Sequence, residues 1–563
     1  MDYFYHVLVM FCLYAILATS FNVVIGLAGL FALSHAAFYA IGAYTTAILT
    51  TAYGVPVFVA MAIGVVLTAA IGAIAALPAL RVGGHYLVVV TLALQVIVID
   101  ILRNAQGLTG GPDGISGIPR IVMFGQTLST PGSFLVLAAV VATAVYFALR
   151  LLAVSPFGRA LRAMRENELA VQSVGKNVVA LKLIAFALSA GTAAIAGSLL
   201  AHYIAFVSPQ SFSIDETILV LAMIILGGTG NLFGAVVGAF ILVLLPEILK
   251  FLDLPVGTAD LMRNAFYGLM LIVILRFRPE GLFPERYRYT LPAGAQRSAG
   301  AFQLSPLTNT ENGTVTLAGE NLHKNFGGIV AAAGIDIELR AGLVTGLIGP
   351  NGAGKTTAFN LLTGFLTPTS GTITLRGRPI TDRRPHRIVH SGVARSFQDL
   401  KLFRRMTVLE NVLVAFPNQL GDHLHNIYFR PGSVAAQERA NIARALEILE
   451  FVGLRERALE EADGLSYAEE KLLVIARLLA TEAEVLLLDE PLSGLDPNTL
   501  ARVLPIVRRL AAQGRTVCLI EHNLDVIREV CDVAAYLDGG RVLTIGRPDD
   551  LMKDPQLLER YIQ

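Results

Sequence analysis

The sequence has few cysteines, almost no net charge and very few charged side chains in its first half. Its three cysteines, Cys12, Cys518 and Cys531, have no spacing that supports a disulfide framework or a metal site. A net charge of +1, without a basic patch interleaved with aromatic residues, argues against nucleic-acid binding. Within residues 1–80 the one formal charge belongs to Asp2, which excludes an ordinary soluble fold for this region.

Charge is divided unevenly along the chain. Residues 1–285 hold 13 Lys or Arg and 12 Asp or Glu, against 44 and 43 in all 563 residues. A membrane span needs about 20 apolar residues, so residues 1–80 suffice for about three spans. Further apolar stretches lie at 86–102, 133–154, 179–203, 217–226, 235–249 and 265–275. The sequence therefore predicts eight or nine spans, some of them short or interrupted by glycine.

Basic residues indicate how these spans are oriented. Two segments are rich in them, one with Arg159, Arg162, Arg165, Lys176 and Lys182 and one with Arg276 and Arg278. Loops rich in Lys and Arg stay in the cytoplasm, so both segments are predicted to be cytoplasmic. The first apolar stretch lacks a basic n-region and a small-residue cleavage site, so a cleaved signal peptide is not expected.

A change of composition marks a domain boundary. Residues 286–313 mix Pro, Gly, Ser, Thr and Ala without an apolar period, which is typical of a flexible linker. The predicted organisation is a membrane domain at 1–285, a linker at 286–313 and a second domain at 314–563.

The second domain contains a phosphate-binding loop of the pattern G-x-x-x-x-G-K-[ST], set between a buried strand and the start of a helix. Its residues are Gly349, Pro350, Asn351, Gly352, Ala353, Gly354, Lys355, Thr356 and Thr357. The glycines let backbone N–H groups turn toward a phosphate. Lys355 adds positive charge, Thr356 offers a hydroxyl to Mg²⁺, and the helix N-terminus favours the anion. The sequence therefore predicts a site for ATP and Mg²⁺, and a chance glycine turn is a poor alternative.

Acidic residues follow a second apolar strand at 485–488. Asp489 is predicted to bind Mg²⁺, and Glu490 to act as general base toward the attacking water. A helix cap or a surface turn is the alternative for two such acids seen alone. His522 follows another apolar strand, at 516–520, and is predicted to contact the γ-phosphate, although a lone histidine is more often structural.

In this order, the motifs resemble the ATP-binding cassette (ABC) family over residues 314–563. The resemblance implies that Phe326 stacks on adenine, with a core aromatic as the alternative, and that Gln398 contacts Mg²⁺. It also assigns a cross-dimer loop, Ser493, Gly494, Leu495 and Asp496, and a signature segment, Leu465, Ser466, Tyr467, Ala468 and Glu469. The family usually has Leu-Ser-Gly-Gly-Gln at the signature, so Ala468 replaces a glycine that approaches the γ-phosphate.

The membrane half resembles the permease subunit of the branched-chain amino-acid importers. The resemblance rests on closely spaced small residues at 26–44, a turn at 108–115 and a charged segment at 158–170, predicted as one short helix. It implies a coupling helix carrying Arg159, Arg162, Arg165 and Glu168 that meets the ATPase near Gln398. An ordinary basic loop is the alternative. His35 and Tyr39, four residues apart, either line a path or hydrogen-bond to neighbouring helices.

The predicted fold is a polytopic α-helical membrane domain of about eight or nine spans fused to an α/β P-loop ABC ATPase domain. The resemblance implies ATP-driven import of branched-chain or related amino acids across a bacterial inner membrane, with the ATPase domain in the cytoplasm. It also implies a second permease and a second ATPase subunit, as a heteromer or a homodimer, an extracytoplasmic solute-binding protein and contact with membrane lipid. The alternatives are a urea or short-amide importer of the same family, an ABC exporter with about six long spans, and a regulatory ATPase, which would need no spans.

Overall fold

A computed structural model of the chain describes residues 1–78, 85–123, 125–250, 268–270, 272–285 and 312–554. Most of the predicted linker, 286–313, lies outside these residues. The chain divides into two compact units, one with residues 1–165, 179–288 and 427–429, the other with residues 166–178, 289–426 and 430–563. We call them the membrane unit and the ATPase unit. The predicted linker and domain limits stay predictions.

The first 250 residues are mainly helical. Their helices are α1 (Asp2–Asn22), α2 (His35–Thr51), α3 (Val57–Ala75), α4 (His85–Asn104), α5 (Gln106–Thr109), α6 (Pro131–Val154), α7 (Pro156–Glu166), α8 (Glu168–Ser173), α9 (Val178–Ile204), α10 (Ile214–Gly227) and α11 (Leu232–Lys250). Two-residue strands β1 (Ile115–Ser116), β2 (Val122–Met123), β3 (Gln126–Thr127) and β4 (Phe206–Val207) accompany them.

Six helical segments among the described residues are long and apolar enough to cross a membrane. They are Asp2–Leu27, Val57–Ala75, Tyr86–Asn104, Pro131–Val154, Val178–Ile204 and Pro209–Gly227. Leu232–Ile248 and Gly268–Phe277 are shorter apolar helices. The chain is thus a multi-pass membrane protein, as predicted. The described apolar helices include short ones, as the sequence predicted, and the total of eight or nine spans stays a prediction.

Small residues bring membrane helices into backbone contact. A Cβ placed on Gly197 of α9 would lie 2.1 Å from the carbonyl oxygen of Tyr39 on α2, and one on Gly42 would lie 2.4 Å from Ala194 Cα. Only glycine permits this approach, which is how helices associate in lipid, where no hydrophobic effect drives them together.

The charged segment at 158–170 forms two helices, where the sequence predicted one. α7 ends at Glu166, and Asn167 begins α8 by accepting a hydrogen bond from Ala170 N at 2.9 Å. Asparagine is a favoured N-cap, so Asn167 separates the two helices.

The ATPase unit contains two sheets. Their strands are β5 (Val315–Phe326), β6 (Ile329–Arg340), β7 (Val344–Ile348), β8 (Ser370–Leu375), β9 (Arg378–Pro379), β10 (Val393–Arg395), β11 (Val485–Asp489), β12 (Thr516–Ile520), β13 (Val533–Asp538) and β14 (Arg541–Gly546). One sheet has the order β10-β11-β12-β7-β13-β14, parallel except for β14, and the other is antiparallel with the order β6-β5-β8-β9.

Helices follow the strands of the larger sheet. They are α12 (Lys355–Leu362), α13 (Pro385–Ser391), α14 (Val408–Leu413), α15 (Leu424–Phe429), α16 (Pro431–Val452), α17 (Tyr467–Ala480), α18 (Pro497–Ala512), α19 (Leu524–Val530) and α20 (Pro548–Leu551); α15 includes 427–429, which group with the membrane unit. Every residue of β7, β11 and β12 is buried, as expected for parallel strands covered on both faces. The carboxyl ends of these three strands therefore meet at one edge, where ligands of α/β proteins bind.

Candidate functional site

The phosphate-binding loop leaves the end of β7 and leads into α12. Gly352 and Gly354 have φ angles of 82° and 102°, in the left-handed region that favours glycine. A Cβ on Gly349 would lie 2.0 Å from Leu537 O, so this position also requires glycine. The loop and helix N-terminus together form the strand–loop–helix context that the sequence predicted.

Lys355, the first residue of α12, folds its ammonium group over this loop. Its Nζ donates to Gly349 O at 2.6 Å and to Pro350 O at 2.9 Å. Burial lowers the pKa of Lys355, while Glu490 and Asp489 act in the opposite direction. An anion in the loop would stabilise the charged ammonium further, so the residues present fit a phosphate.

Asp489 lies at the carboxyl end of β11 and is buried. Its Oδ2 accepts from Arg395 Nη2 at 3.1 Å, and its backbone N–H donates to Ser396 Oγ at 2.8 Å. Its Oδ1 has no hydrogen-bond partner within the described parts of the chain. Burial raises the pKa of this carboxyl, and the Arg395 guanidinium counteracts the rise. A buried carboxylate oxygen left unpaired fits a hard divalent cation such as Mg²⁺.

Arg395 was not predicted from the sequence. It ends β10, beside β11, and its guanidinium is 2% exposed. It also donates to Asn360 Oδ1 at 2.6 Å, and burial lowers its pKa to about 10. The signal that could have revealed it is a basic residue inside an apolar strand, three positions before Gln398.

Two predicted residues, Gln398 and His522, meet at the carboxylate of Glu490, which was also predicted. Its Oε1 lies 3.1 Å from Gln398 Nε2 and 3.0 Å from His522 Nε2. The backbone of Glu490 has a positive φ of 49°, and its N–H donates to Ile520 O at 3.0 Å. This left-handed turn directs the chain away from β11 immediately after Asp489. A carboxylate held at this point is suited to orient and deprotonate a water molecule.

Two further charged residues, neither of them predicted, support the loop that follows Glu490. Lys471 of α17 donates to Glu490 O at 2.8 Å and to Ser493 O. Glu521 Oε1 accepts from Leu492 N at 2.6 Å. Burial lowers the pKa of Lys471 and raises that of Glu521. Lys471 directly precedes the apolar run at residues 472–475 of α17, which was the available signal.

The predicted signature segment starts α17. Ser466 is its N-cap and forms a capping box with Glu469: Ser466 N donates to Glu469 Oε2 at 2.9 Å, and Glu469 N donates to Ser466 Oγ at 3.4 Å. Arg457 Nη2 lies 3.3 Å from Glu469 Oε2. The pKa of Glu469 is lowered, first by the Ser466 backbone hydrogen bond. Leu465 is buried, whereas Tyr467 is exposed and Ala468 half-buried.

The cross-dimer loop lies next to this helix. Gly494 has a φ of 74°, and a Cβ there would lie 3.2 Å from the Tyr467 ring. Asp496 accepts from Thr499 N at 3.1 Å and from Thr499 Oγ1 at 2.6 Å, so it caps the beginning of α18.

Phe326, the predicted adenine-stacking residue, ends β5. Its side chain is 46% exposed, and Lys324 Nζ lies 5.5 Å from its ring centroid. It is therefore not a core aromatic, and a ring face remains accessible to a base.

The residues of the predicted coupling helix are divided between the two units. Arg159, Arg162 and Arg165 lie on α7 in the membrane unit, where Arg162 donates to Ala153 O at 2.8 Å. Arg165 lies 2.6 Å from Glu285 Oε2 and donates to Gly26 O.

Glu168, by contrast, belongs to α8, and residues 166–178 group with the ATPase unit. Within that unit Lys176 Nζ lies 2.6 Å from Asp422 Oδ2. Lys176 and Asp422 were not assigned to the coupling segment from the sequence.

Both halves of the chain match known protein families. Residues 3–275 match the family described as branched-chain amino acid transport system / permease component, and residues 332–493 match the ABC transporter family. The high-affinity branched-chain amino acid transport ATP-binding protein LivG of Salmonella typhimurium is 38% identical over 247 residues, which are 44% of this chain and 97% of LivG.

The permease protein LivM of the corresponding Escherichia coli system is 36% identical over 314 residues, covering 51% of this chain and 72% of LivM. A crystal structure of a nucleotide-free ATP-binding cassette from an ABC transporter is 33% identical, covers 44% of this chain and 100% of the cassette, and has a TM-score of 0.40. The chain belongs to the branched-chain amino-acid ABC transporter family and joins regions related to its permease and ATP-binding components in one polypeptide.

Proposed function

We propose that this chain uses ATP hydrolysis to import branched-chain amino acids across a bacterial inner membrane. The observation that carries the proposal is the carboxylate of Glu490, held by Gln398 and His522 at the strand end beside the phosphate-binding loop. This ATPase arrangement shares one chain with a permease region of the same family. Coupling the two is the simplest use of such a fusion.

The proposed roles follow from position and charge. Residues 349–357 bind the phosphates of ATP, and Phe326 stacks on the adenine. Thr356, Gln398 and Asp489 hold Mg²⁺, which neutralises charge on the β- and γ-phosphates when it is bound. Glu490 takes a proton from the attacking water, and His522 contacts the γ-phosphate and orients Glu490.

Two copies of an ATPase unit are needed for a complete site in the ABC family, since the signature of one unit closes the nucleotide of the other. We therefore propose a second ATPase subunit and a second permease, either identical or different. An extracytoplasmic solute-binding protein delivers the amino acid, and the apolar helices contact lipid. The ATPase unit lies in the cytoplasm, on the side of the basic segments.

The segment of residues 166–178 is the proposed mechanical link to the permease. It is covalently continuous with α7 and α9, yet it groups with the ATPase unit and forms the Lys176–Asp422 ion pair there. Movement of the ATPase unit is thereby transmitted to the membrane helices at both ends of the segment.

Uptake of labelled leucine into proteoliposomes tests the proposal. The purified transporter with its partners should accumulate leucine when ATP and the loaded binding protein are present, and the Glu490→Gln variant should not. Uptake of urea or a short amide in place of leucine would favour the importer alternative, and ATP-driven efflux would favour an exporter.

A further inference from the structure

One membrane helix begins in the middle of the bundle. The polypeptide leaves α1 through a π-helical turn, Val23–Leu27, continues without regular structure, and starts α2 at His35. His35 Nε2 lies 3.1 Å from Leu17 O, inside the Asp2–Leu27 span. The start of α2 is therefore well away from either end of that span.

Contacts with two other spans place the start of α2 at the same depth in the membrane. Ala37 N donates to Gln95 Oε1 at 2.6 Å, and Ala36 N donates to Thr217 Oγ1 at 3.0 Å. Gln95 lies near the centre of the Tyr86–Asn104 span, and Thr217 near the centre of Pro209–Gly227. Because three spans agree, the N-terminus of α2 lies near the middle of the membrane.

Neutral side chains occupy the N–H groups of this helix end. A helix N-terminus carries unpaired N–H groups and partial positive charge, so it favours an anion. Here the amide oxygen of Gln95 and the hydroxyl oxygen of Thr217 act as acceptors, and Gln95 Nε2 in turn donates to Phe212 O at 2.9 Å. A carboxylate oxygen would form stronger, charge-assisted bonds with the same N–H groups.

Ser34 supplies the second, independent observation. It stands at the N-cap position, where a serine oxygen ordinarily accepts from the following N–H groups, but it makes no such bond. Its side chain is 0% exposed, and Oγ has no hydrogen-bond partner in the described part of the chain. The hydroxyl therefore remains available to a ligand that enters the bundle.

We propose that the N-terminus of α2 binds the carboxylate of the amino acid during its passage through the permease. This rests on the proposed function. Ser34 Oγ donates to one carboxylate oxygen, and the second oxygen replaces the Gln95 amide oxygen on Ala37 N. A helix broken near the centre of the membrane is a known way for transporters to present a helix N-terminus to an anionic substrate group.

A carboxylate for the ammonium end of the substrate is near. Glu216 precedes Thr217, and its Oε2 accepts from Tyr14 Oη at 3.0 Å. Tyr14 is three residues before Leu17 on α1, so the two share a helix face about one turn apart. The helix that supplies the Thr217 acceptor thus also carries a carboxylate, which we assign to the ammonium group of the substrate.

The test compares two variants in proteoliposomes containing the complete transporter and loaded binding protein. Ser34→Ala should lower the number of leucine molecules moved per ATP hydrolysed by about tenfold, as expected for one lost hydrogen bond to a charged group. Gln95→Glu replaces the amide at the helix end by a carboxyl group and removes the donor to Phe212 O, so it should also lower this ratio. The ratio of leucine transported to ATP hydrolysed does not depend on the fraction of the protein that is folded.

Ser198→Ala is the matched control, because Ser198 is equally buried but bonds to Thr46 Oγ1 at 2.6 Å, away from the start of α2. It should leave the ratio unchanged. If wild-type protein imports leucine and both variants match it, the carboxylate site is wrong and the proposed function stands. If only Gln95→Glu matches the wild type, the helix N-terminus is a structural cap and the proposed site is wrong. A wild-type transporter that moves no leucine would overturn the proposed function and this site with it.

Discussion

His522 Nε2 lies 3.0 Å from Glu490 Oε1, the same oxygen that accepts a hydrogen bond from Gln398. A residue from the end of β12 thus orients the carboxylate that follows β11. Within the described residues, the contacts of Gln398 and His522 with the Glu490 carboxylate both fall on Oε1. Such an arrangement suits a general base whose second carboxylate oxygen binds the attacking water.

Glu490→Gln should remove the base and preserve nucleotide binding. Because glutamine is nearly isosteric, binding of Mg-ATP should persist, whereas hydrolysis should fall by at least about 100-fold. Single-turnover hydrolysis and equilibrium binding of a labelled nucleotide measure the two effects separately. Lys355→Ala is the contrasting variant and should weaken binding itself. Normal hydrolysis at this chain's own site in Glu490→Gln would show that the base is a different residue.

Mg²⁺ dependence of the ATPase should vary with pH through Asp489. Burial raises the pKa of this carboxyl, so the protonated form persists to higher pH than for an ordinary aspartate. Mg²⁺ requires the carboxylate, so its apparent affinity should fall as the pH is lowered toward that raised pKa, and Mg²⁺ binding should release protons. Titrations with Mg²⁺ at several pH values, and calorimetry in buffers of different ionisation enthalpy, measure both. Asp489→Asn should remove the pH dependence, and a variant that keeps it would exclude Asp489 as its source.

Lys471→Met should lower ATP hydrolysis by loosening the loop after Glu490. The substitution leaves the half-buried carbonyls of Glu490 and Ser493 without this donor, at a cost of about 2 kcal/mol in the free energy of unfolding. Arg477→Met is the control, since Arg477 is also buried on α17 and donates to Lys401 O at 2.9 Å. Both should lose stability, and only Lys471→Met should lower kcat at temperatures where both are folded. Equal kcat values would make Lys471 purely structural.

Local motifs allowed much of this site to be predicted. The phosphate loop, Asp489 and Glu490 are each defined by a few adjacent residues next to an apolar strand, so their grouping follows from parallel strands ending at one edge. Arg395 and Lys471 could not be placed. The partner of Arg395, Asp489, is 94 residues away, and Lys471 donates to the backbone carbonyl of Glu490, which is 19 residues away and carries no sequence signal. The start of α2 at His35 was equally hidden, since an apolar run gives no sign of where a helix breaks.

Charge reversals at Lys176 and at Arg165 should separate a loss of coupling from a loss of permease stability. Lys176→Glu should reduce uptake by breaking the pair with Asp422, and adding Asp422→Lys should restore it in part. Glu285→Lys reverses the charge of the partner of Arg165, in an ion pair that lies within the membrane unit. Because Arg165 contacts its own unit, reversal at Arg162 and Arg165 should reduce uptake largely through lost permease stability. Unchanged uptake in the Lys176 variant would mean that the segment of residues 166–178 determines only the membrane topology.

Ala468 should make the two ATP sites of the assembled transporter unequal. In an ABC dimer the first turn of the signature helix, predicted to be α17 in this chain, closes the partner's nucleotide, and a glycine there lets N–H groups approach the γ-phosphate. Ala468 adds a methyl group at this turn, and the carboxylate of Glu469 stands next to it in the capping box with Ser466. If the partner ATPase retains the glycine, the site holding Lys355 and Glu490 should be the stronger one.

Base substitutions in each subunit measure this asymmetry. Glu490→Gln should reduce transport more than the equivalent change in the partner, and Ala468→Gly should raise turnover because it restores the close approach of the backbone. Ala468→Ser is the control, since it keeps a Cβ and should give no increase. Equal losses from the two base substitutions, with no gain from Ala468→Gly, would mean that the dimer accommodates the methyl group and that its two sites hydrolyse ATP alike.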